Sequence, residues 1–184
     1  MDAELLRVAV PAVIVGLLAL GFLSSLLFNV SGTWERLPED ENAPPTGERL
    51  TLGQLGPFVR GRREVPGGWQ EYSGVMFGRS LSLTRRDFGV PALMRNNFPE
   101  PLAHKLHGDV FAEMKLTLTD AGTCLRGTFT PQKIDFLLAP PRITHRRWMQ
   151  PVARAYRRVS PVELEEEERS RGVLGVPASD GKLA

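Results

Sequence analysis

The chain has only one cysteine, Cys124, among its 184 residues, and this scarcity excludes several classes of protein. A single thiol can form neither an intramolecular disulfide nor a four-thiolate zinc site, so a disulfide-stapled secreted domain is ruled out. Cys124 falls in a segment where apolar and polar residues alternate, which predicts a small buried side chain rather than a reactive one. The length leaves room for about one domain and excludes a multidomain enzyme.

The sequence also lacks the short motifs that mark common catalytic and cofactor sites. It has no Gly-x-Ser-x-Gly run, no glycine-rich phosphate loop and no dinucleotide fingerprint. His104 and His107 are three residues apart, but they follow a proline in a predicted loop, and no third metal ligand is placed beside them by spacing; Asp109 and His145 are equally isolated. We therefore expect no catalytic residues, no cofactor and no bound metal.

One long segment without charge lies near the N-terminus. Residues 8–30, VAVPAVIVGLLALGFLSSLLFNV, have no charged side chain, and about 20 apolar residues suffice to cross a bilayer. A cleaved signal peptide, with an apolar core of about 7–15 residues after a basic start, is one alternative, and a buried core helix is another. We predict a single transmembrane helix, with Trp34 just beyond it as an interfacial anchor.

Small residues in this run have the spacing that lets two helices pack closely. The pairs are Ala12 with Gly16, and Gly21 with Ser25. They predict a partner helix, although such residues are common in any spanning helix. Lys and Arg are more frequent after the run than before it, which favours a domain on the cytoplasmic side of the inner (cytoplasmic) membrane. A signal anchor that delivers the domain outward is the alternative.

Composition divides the rest of the chain into three further parts. After the tail and helix of residues 1–34, residues 35–49 are rich in acids and prolines and predict an extended linker. Residues 50–160 are the predicted folded domain. Residues 161–184 predict a short helix and then a disordered tail, because Ser160, Pro161 and Glu163 supply a cap, a first-turn proline and a capping-box carboxylate.

Alternation of apolar and polar side chains predicts that the domain is mainly β. Strands are expected at residues 58–65, 69–85, 110–119, 123–130, 134–138 and 142–149. Asp120-Ala121-Gly122 predicts a hairpin loop, and residues 89–108 predict a loop with one helical turn. Six or seven short strands without amphipathic helices between them are typical of a small antiparallel β-barrel or sandwich.

Charge is segregated along the chain, although its net value is only +2. Residues 50–160 have seventeen Lys or Arg against eight Asp or Glu, whereas residues 35–48 and 161–184 are net acidic. The guanidinium group pairs well with carboxylate and phosphate. Four clusters therefore predict contacts with an anionic partner: Arg60, Arg62 and Arg63; Arg85 and Arg86; Arg142, Arg146 and Arg147; and Arg154, Arg157 and Arg158.

Three kinds of anionic partner fit this basic excess. Anionic lipid head groups and acidic protein surfaces come first for a domain next to a bilayer. Nucleic acid comes last, because the sequence has no zinc-finger, helix-turn-helix or RNP pattern. A merely solvated surface, without any partner, is the remaining alternative.

The layout of the first 45 residues or so resembles a known family. A short tail, a predicted spanning helix and the acidic segment Glu35-Arg36-Leu37-Pro38-Glu39-Asp40-Glu41-Asn42, followed by a β-rich domain, are similar to the H subunit of purple-bacterial photosynthetic reaction centres. The resemblance implies a subunit that caps a membrane complex on its cytoplasmic side. The haem chaperone of cytochrome c maturation has a similar layout, but its haem-linking histidine motif has no counterpart near His145.

These patterns together predict a non-catalytic accessory or scaffold subunit of an integral-membrane complex, photosynthetic or respiratory. It would contact integral-membrane protein subunits and anionic lipid head groups. The alternative is a membrane-anchored assembly factor or small-ligand carrier, with the interior of the barrel as its binding cavity.

Overall fold

The computed structural model describes residues 11, 13, 15–17, 19, 20, 22, 23, 27–38, 44 and 46–174. The strands within this part of the chain are β1 (Gly32–Arg36), β2 (Arg49–Leu55), β3 (Phe58–Val65), β4 (Gly68–Phe77), β5 (Ser80–Phe88), β6 (Val110–Thr119), β7 (Cys124–Leu138), β8 (Pro141–Trp148) and β9 (Val152–Arg158). The helices after β1 are α1 (Val90–Arg95), α2 (Glu100–Leu106) and α3 (Pro161–Leu174), and a 3₁₀ turn spans Asp120–Gly122.

Eight of these strands form a closed antiparallel barrel. The order is β6-β5-β4-β3-β2-β1-β9-β7, and β7 pairs back with β6 to complete the circle. Strands β2 to β7 follow one another as neighbours, whereas β1 lies between β2 and β9. Of the two predicted alternatives, a small antiparallel barrel or a sandwich, the barrel is confirmed.

Inward-facing apolar side chains fill much of the barrel. Trp34, Met76, Met114, Leu125 and Tyr156 are each no more than 2% exposed. An eight-stranded barrel is just wide enough for side chains to occupy its interior. The barrel core is thus a packed core built from the inward faces of the barrel strands.

Two glycines allow the barrel wall to bend where neighbouring strands approach most closely. A Cβ atom at Gly74 would lie 1.8 Å from the carbonyl oxygen of Ser82, and one at Gly127 would lie 2.0 Å from that of Lys115. Both distances are far inside van der Waals contact, so only glycine fits without moving a strand. Such positions are typical of the bends by which a sheet closes into a barrel.

A second, smaller core lies outside the barrel, beneath α1 and α2. The buried side chains of Leu93, Leu102 and Leu106 come from the helices, and Phe111 and Ile134 come from β6 and β7. Phe98 packs on Phe111 with 6.0 Å between ring centroids. Residues 89–108 therefore form two short helices that cover one side of the barrel, where a loop with one helical turn was predicted.

Strand β7 is 15 residues long and continues beyond the barrel. Its first part pairs with β6 and β9, whereas Gln132 to Leu138 pair with β8. We call residues 132–148 the hairpin arm. Ile134, Phe136 and Ile143 hold one face of the arm against the second core.

The predicted transmembrane helix is wrong. The described residues between 11 and 27 are helical, but within the part of the chain that the structure describes no helix is long and apolar enough to cross a membrane. The end of the apolar run belongs to the barrel instead, since Val30 is fully buried in its core. The side chain of Gln54 also donates a hydrogen bond to the carbonyl oxygen of Phe28 at 3.2 Å. The single-pass, inner-membrane localisation depended on this helix and is wrong as well.

Trp34 is not an interfacial anchor, because it lies on β1 and points into the barrel core. Its side chain is fully buried and its Nε1 donates a hydrogen bond to the carbonyl oxygen of Val30 at 2.8 Å. Of the small residues predicted to pack a partner helix, a Cβ at Gly16 would meet nothing within 4 Å. The other three, Ala12, Gly21 and Ser25, lie outside the described residues.

Several strand assignments also differ from the predicted ones, and the strands expected at 123–130 and 134–138 are one continuous strand, β7. The barrel begins at Gly32 rather than near residue 50, because β1 and the start of β2 use residues assigned to the helix and the linker. The single strand expected at 69–85 is a hairpin, since Gly78 has a φ of 57° and turns the chain between β4 and β5. Strand β9 was not predicted.

Candidate functional site

The four predicted arginine clusters do not form one surface. Neighbouring residues of a strand point to opposite faces, so each cluster is divided between the inside and the outside of the barrel. Three of them point inward at one end of the barrel, namely Arg63, Arg85 and Arg154, and one points inward at the other end, Arg158. Four point outward: Arg60, Arg62, Arg86 and Arg157. The remaining three lie on the hairpin arm: Arg142, Arg146 and Arg147.

One end of the barrel is lined by charged side chains instead of apolar ones. We call this group the interior arginine cluster. It consists of Arg36, Arg63, Arg85 and Arg154 with the carboxylates Glu48 and Asp87. Three of the arginines were predicted site residues, whereas Arg36 and both carboxylates were not.

Glu48 is the centre of one half of this cluster. Its Oε2 lies 3.2 Å from Nη1 of Arg36 and 3.5 Å from Nη1 of Arg154, and its Oε1 lies 3.1 Å from Nη1 of Arg63. The Arg36 backbone N–H also donates to the Glu48 carbonyl oxygen at 2.8 Å. One carboxylate thus connects β1, β3 and β9 across the mouth of the barrel.

Asp87 organises the other half. Nε and Nη2 of Arg85 lie 2.8 Å and 3.0 Å from its two oxygens. Gln70 donates to the same carboxylate at 3.3 Å and accepts a hydrogen bond from the Tyr72 hydroxyl at 3.2 Å. Since Asp87 is only 4% exposed, this network satisfies a charge that would otherwise be costly to bury.

Among the residues that the structure describes, the cluster has more guanidinium groups than carboxylates. Four guanidinium groups face two carboxylates, and the four arginine side chains are only 15–28% exposed. Partly buried charge is stable only when it is paired. The ion pairs with Glu48 and Asp87 therefore stabilise these arginines at the end of the barrel.

Burial raises the pKa of both tyrosines that line the interior. For Tyr72 burial is the main cause, and the nearby Arg85 acts in the opposite direction. For Tyr156 burial is again the main cause, and the charge of Glu48 adds to it. Both phenols therefore stay protonated at neutral pH, and that of Tyr72 donates its hydrogen bond to Gln70.

A cleft of about 680 Å³ opens beside the interior arginine cluster, where β1, β7 and β9 meet. Its volume falls in the range of about 300–1,000 Å³ typical of small-molecule sites. The lining includes Arg36, Arg126 and Arg154 together with the apolar side chains of Leu37, Ala153 and Ala155. Ala153 and Ala155 alternate with the inward Arg154 along β9, and Ala155 lies opposite Arg126 of β7, so the cleft opens on the outer face of the barrel wall.

The hairpin arm has a second concentration of positive charge, on the face turned away from the second core. In the register of the arm, Lys133 lies opposite Arg147, Asp135 opposite His145, and Leu137 opposite Arg142. Asp135 is the one carboxylate of this group, at 3.4 Å from Nζ of Lys133 and 3.8 Å from Nε of Arg147. This open face therefore carries three cations and one anion.

Exposed apolar side chains accompany the charges of the arm. Leu137 is 43% exposed, Leu138 at the tip is 71% exposed, and Trp148 at the base is 46% exposed. Arg142 forms no ion pair among the residues that the structure describes. Leu137 therefore lies among the charges of the open face, whereas Leu138 and Trp148 belong to the other face of the arm by the alternation of the strands.

The other predicted arginines contact this chain's own groups. Arg157 binds Glu35 and Glu163, with 2.6 Å and 3.0 Å between nitrogen and oxygen, and these hydrogen bonds raise the pKa of its guanidinium. Arg62 pairs with Glu64 at 2.7 Å. Arg86 donates to Gly108, Arg146 to Asp109, and Arg158 to the carbonyl oxygen of Asn29.

The residues considered as metal ligands have structural contacts instead. Within the described part of the chain, no three His, Cys, Asp or Glu side chains are grouped so that they could hold a metal ion. His107 accepts a hydrogen bond at Nδ1 from the backbone N–H of Gly89 at 3.2 Å, and Asp109 pairs with Arg146. Cys124 is buried, as the alternation of its strand predicts.

Comparison with family models, with curated protein sequences and with solved structures finds no match to this chain. The resemblance to the H subunit of photosynthetic reaction centres stays an expectation from the sequence. The geometry of the arginines and of the hairpin arm is therefore the basis for the proposed function.

Proposed function

We propose that the chain is a non-catalytic accessory or scaffold protein that docks onto an acidic surface of a partner protein through its hairpin arm. The observation that carries the proposal is the open face of the arm, where Lys133, Arg142 and Arg147 share one face with Leu137 and a single carboxylate. The partner surface would carry Asp and Glu side chains around an apolar centre.

The composition of the arm and its packing against the second core both support docking. Arginine and aromatic residues are enriched in protein interfaces, and complementary charge speeds the encounter and selects the partner. The opposite face of the arm is fixed by Ile134 and Phe136 against the second core. A surface held in place in this way loses little conformational entropy on binding.

The alternative of a carrier with a ligand inside the barrel has less support. The apolar part of the interior is occupied by large side chains of the protein itself, among them Trp34, Met76 and Tyr156. A ligand there would have to displace them. The contacts that distinguish this chain lie at the mouth of the barrel and on the arm.

The test measures binding of the full chain to poly-L-glutamate, a probe for an acidic protein surface, by fluorescence anisotropy at two salt concentrations. Duplex DNA and vesicles of anionic lipid are the comparison probes. We expect preferential binding to poly-L-glutamate that weakens with salt. Stronger binding to DNA or to vesicles would contradict the proposal of a protein partner.

Charge-reversed variants locate the binding surface. Replacing both Arg142 and Arg147 with Glu should weaken binding to poly-L-glutamate about tenfold or more, since each exposed charge contributes roughly 0.5–1 kcal/mol and its sign is reversed. The matched control replaces Arg60 and Lys115, two exposed cations on the outside of the barrel, with Glu and changes the net charge equally. An equal loss in both variants would show that only net charge matters and would refute the role of the arm.

A further inference from the structure

We propose that the free edge of β8 binds an extended acidic segment of the partner protein by strand addition. This inference rests on the proposed docking function and names the form that the partner takes. Strand β8 ends the order of the sheet and pairs only with β7 among the strands that the structure describes. Its other edge therefore presents backbone N–H and carbonyl groups to which a further strand can bind.

The register of the hairpin arm identifies which backbone groups lie on this free edge. The N–H of Met149 donates to the carbonyl oxygen of Pro131 at 2.9 Å. In an antiparallel pair, residues that bond across the ladder alternate with residues whose backbone groups point away from the neighbouring strand. Arg147 is two residues away in the same register and therefore bonds to β7. The N–H groups of Arg146 and Trp148 consequently point to the free edge.

The stretch of β8 that carries these groups is exposed to solvent. Its residues from Thr144 to Trp148 are all exposed, whereas Ile143 before them packs against the second core. This stretch is about as long as a typical strand of about 5–6 residues. Because the arm is already extended and held by the second core, adding a strand to its edge would cost little conformational entropy of this chain.

The charges of β8 select an acidic occupant. The strand has three arginines, Arg142, Arg146 and Arg147, and no carboxylate. Asp109 lies 2.6 Å from Nη2 of Arg146, and Asp135 lies 3.8 Å from Nε of Arg147. Opposite charges stabilise a pair of strands, whereas like charges directly opposite each other destabilise it. A second copy of β8 would add only cations to this edge, so a segment with Asp and Glu side chains fits better.

The two faces of the arm predict the residue pattern of the added segment. Side chains of a strand alternate between the two faces of the sheet. On the open face the new strand would lie beside Arg147, where Asp or Glu fits. On the other face it would lie beside the exposed Trp148, where an apolar side chain fits. We therefore expect a segment in which acidic and apolar residues alternate.

The experiment measures binding of the full chain to a labelled peptide as long as β8, in which Glu and Val alternate, by fluorescence anisotropy. The matched peptide has the same sequence and charge, but methyl groups replace the hydrogens on the backbone nitrogens of its valines. These are the N–H groups that pair with β8 when the glutamates lie on the open face. We expect the unmethylated peptide to bind about tenfold or more tightly, because methylation removes the ladder hydrogen bonds. Equal affinity, or no binding of the unmethylated peptide, would overturn strand addition.

A matched pair of variants tests the same contact on the chain. Arg146→Pro and Arg146→Ala both remove the side chain that pairs with Asp109, but only proline also removes the N–H at the free edge. Proline is tolerated in an edge strand where the N–H faces solvent. Arg146→Pro should bind the unmethylated peptide about tenfold more weakly than Arg146→Ala does. Equal affinity in the two variants would contradict the use of this edge, and the comparison of the two peptides on the native chain remains decisive if Arg146→Pro fails to fold.

Binding of poly-L-glutamate separates the failure of this inference from the failure of the docking function. Equal affinity of the two peptides, with binding of poly-L-glutamate by the arm retained, would overturn strand addition and leave the docking function in place. A chain that prefers the unmethylated peptide but does not bind poly-L-glutamate would keep the edge site and overturn docking onto an acidic surface.

Discussion

Replacing Glu48 with Gln should destabilise the barrel strongly. The Glu48 carboxylate lies within 3.1–3.5 Å of Arg36, Arg63 and Arg154, and its side chain is only 14% exposed. The amide keeps the shape of the side chain but removes its charge. Three guanidinium groups at one end of the barrel would then face one another without the carboxylate that joins them.

The size of the effect follows from this burial. Removing one partner of a buried ion pair costs about 3–5 kcal/mol. The side chains of these three arginines are 15–28% exposed, so water screens part of their repulsion. We therefore expect the free energy of unfolding to fall by about 2–4 kcal/mol. For a chain of this length 1 kcal/mol corresponds to about 2–4 °C, so Tm should fall by roughly 10 °C.

The assay is urea unfolding followed by tryptophan fluorescence, because Trp34 lies in the barrel core and reports on its integrity. The matched control is Glu64→Gln. Glu64 pairs with Arg62 at 2.7 Å, but its side chain is 71% exposed, and an exposed ion pair contributes at most about 1 kcal/mol. If the free energy of unfolding of Glu48→Gln changes as little as that of Glu64→Gln, the interior arginine cluster does not stabilise the barrel end and the reasoning is refuted.

Three further predictions concern titration and packing. Tyr72 and Tyr156 are the only tyrosines of the chain, and burial raises the pKa of both above the ordinary value of 10.0. Absorbance at alkaline pH should therefore show no tyrosine ionisation near pH 10 in the folded protein. The free energy of unfolding should be unaffected by these groups below pH 10 and should fall above it, because the unfolded chain loses these protons first. A normal titration near pH 10 with the fold intact would contradict their burial. The backbone N–H of Ser160 and a neighbouring guanidinium hold the pKa of Glu163 below its usual range. The ionised carboxylate should therefore stabilise the start of α3 above about pH 4.5, and this stabilisation should be lost as the pH falls through the lowered pKa. NMR shifts of residues 161–166 should show this midpoint, and Glu163→Gln should abolish it. Gly127→Ala should lower the free energy of unfolding by about 1–3 kcal/mol or more, because the new Cβ would meet a backbone oxygen at 2.0 Å; an unchanged urea midpoint would show that the strands can separate freely there.

Regular strands and local caps could be predicted from the sequence. The alternation at residues 110–119 and 58–65 corresponds to β6 and β3 with the predicted bounds. The capping box also forms, since Ser160 N–H donates to Glu163 Oε2 at 2.9 Å and Glu163 N–H donates to Ser160 Oγ at 3.1 Å. These features depend on nearby residues, and the sequence shows them directly.

The strands that carry the candidate site could not be recognised in the same way. In β9 the inward residues include Arg154 and Arg158, so the apolar face that identifies a strand is interrupted by charge. Strand β1 is five residues long and lies beside an acidic, proline-containing segment. This segment is a strand because it pairs with β2 and with the distant β9. Its local sequence pattern does not predict that pairing.

One signal in the sequence could have located part of the interior arginine cluster. The apolar alternation of Leu81 and Leu83 continues, two residues at a time, to Arg85 and Asp87. Extending the same face of the strand would have placed both charges inside the barrel. The apolar run at residues 8–30 led to a wrong prediction, because hydropathy alone assigns all of it to a bilayer, whereas its last residues pack in the barrel.

The most direct test of the docking proposal is hydrogen–deuterium exchange of the full chain with and without poly-L-glutamate. A partner on the open face of the hairpin arm should slow exchange in residues 132–148, and the outward face around Arg60 and Arg86 should exchange as in the free protein. We predict protection confined to the arm. Protection at β3 to β5 with none in the arm would contradict the central claim and would assign docking to the outside of the barrel.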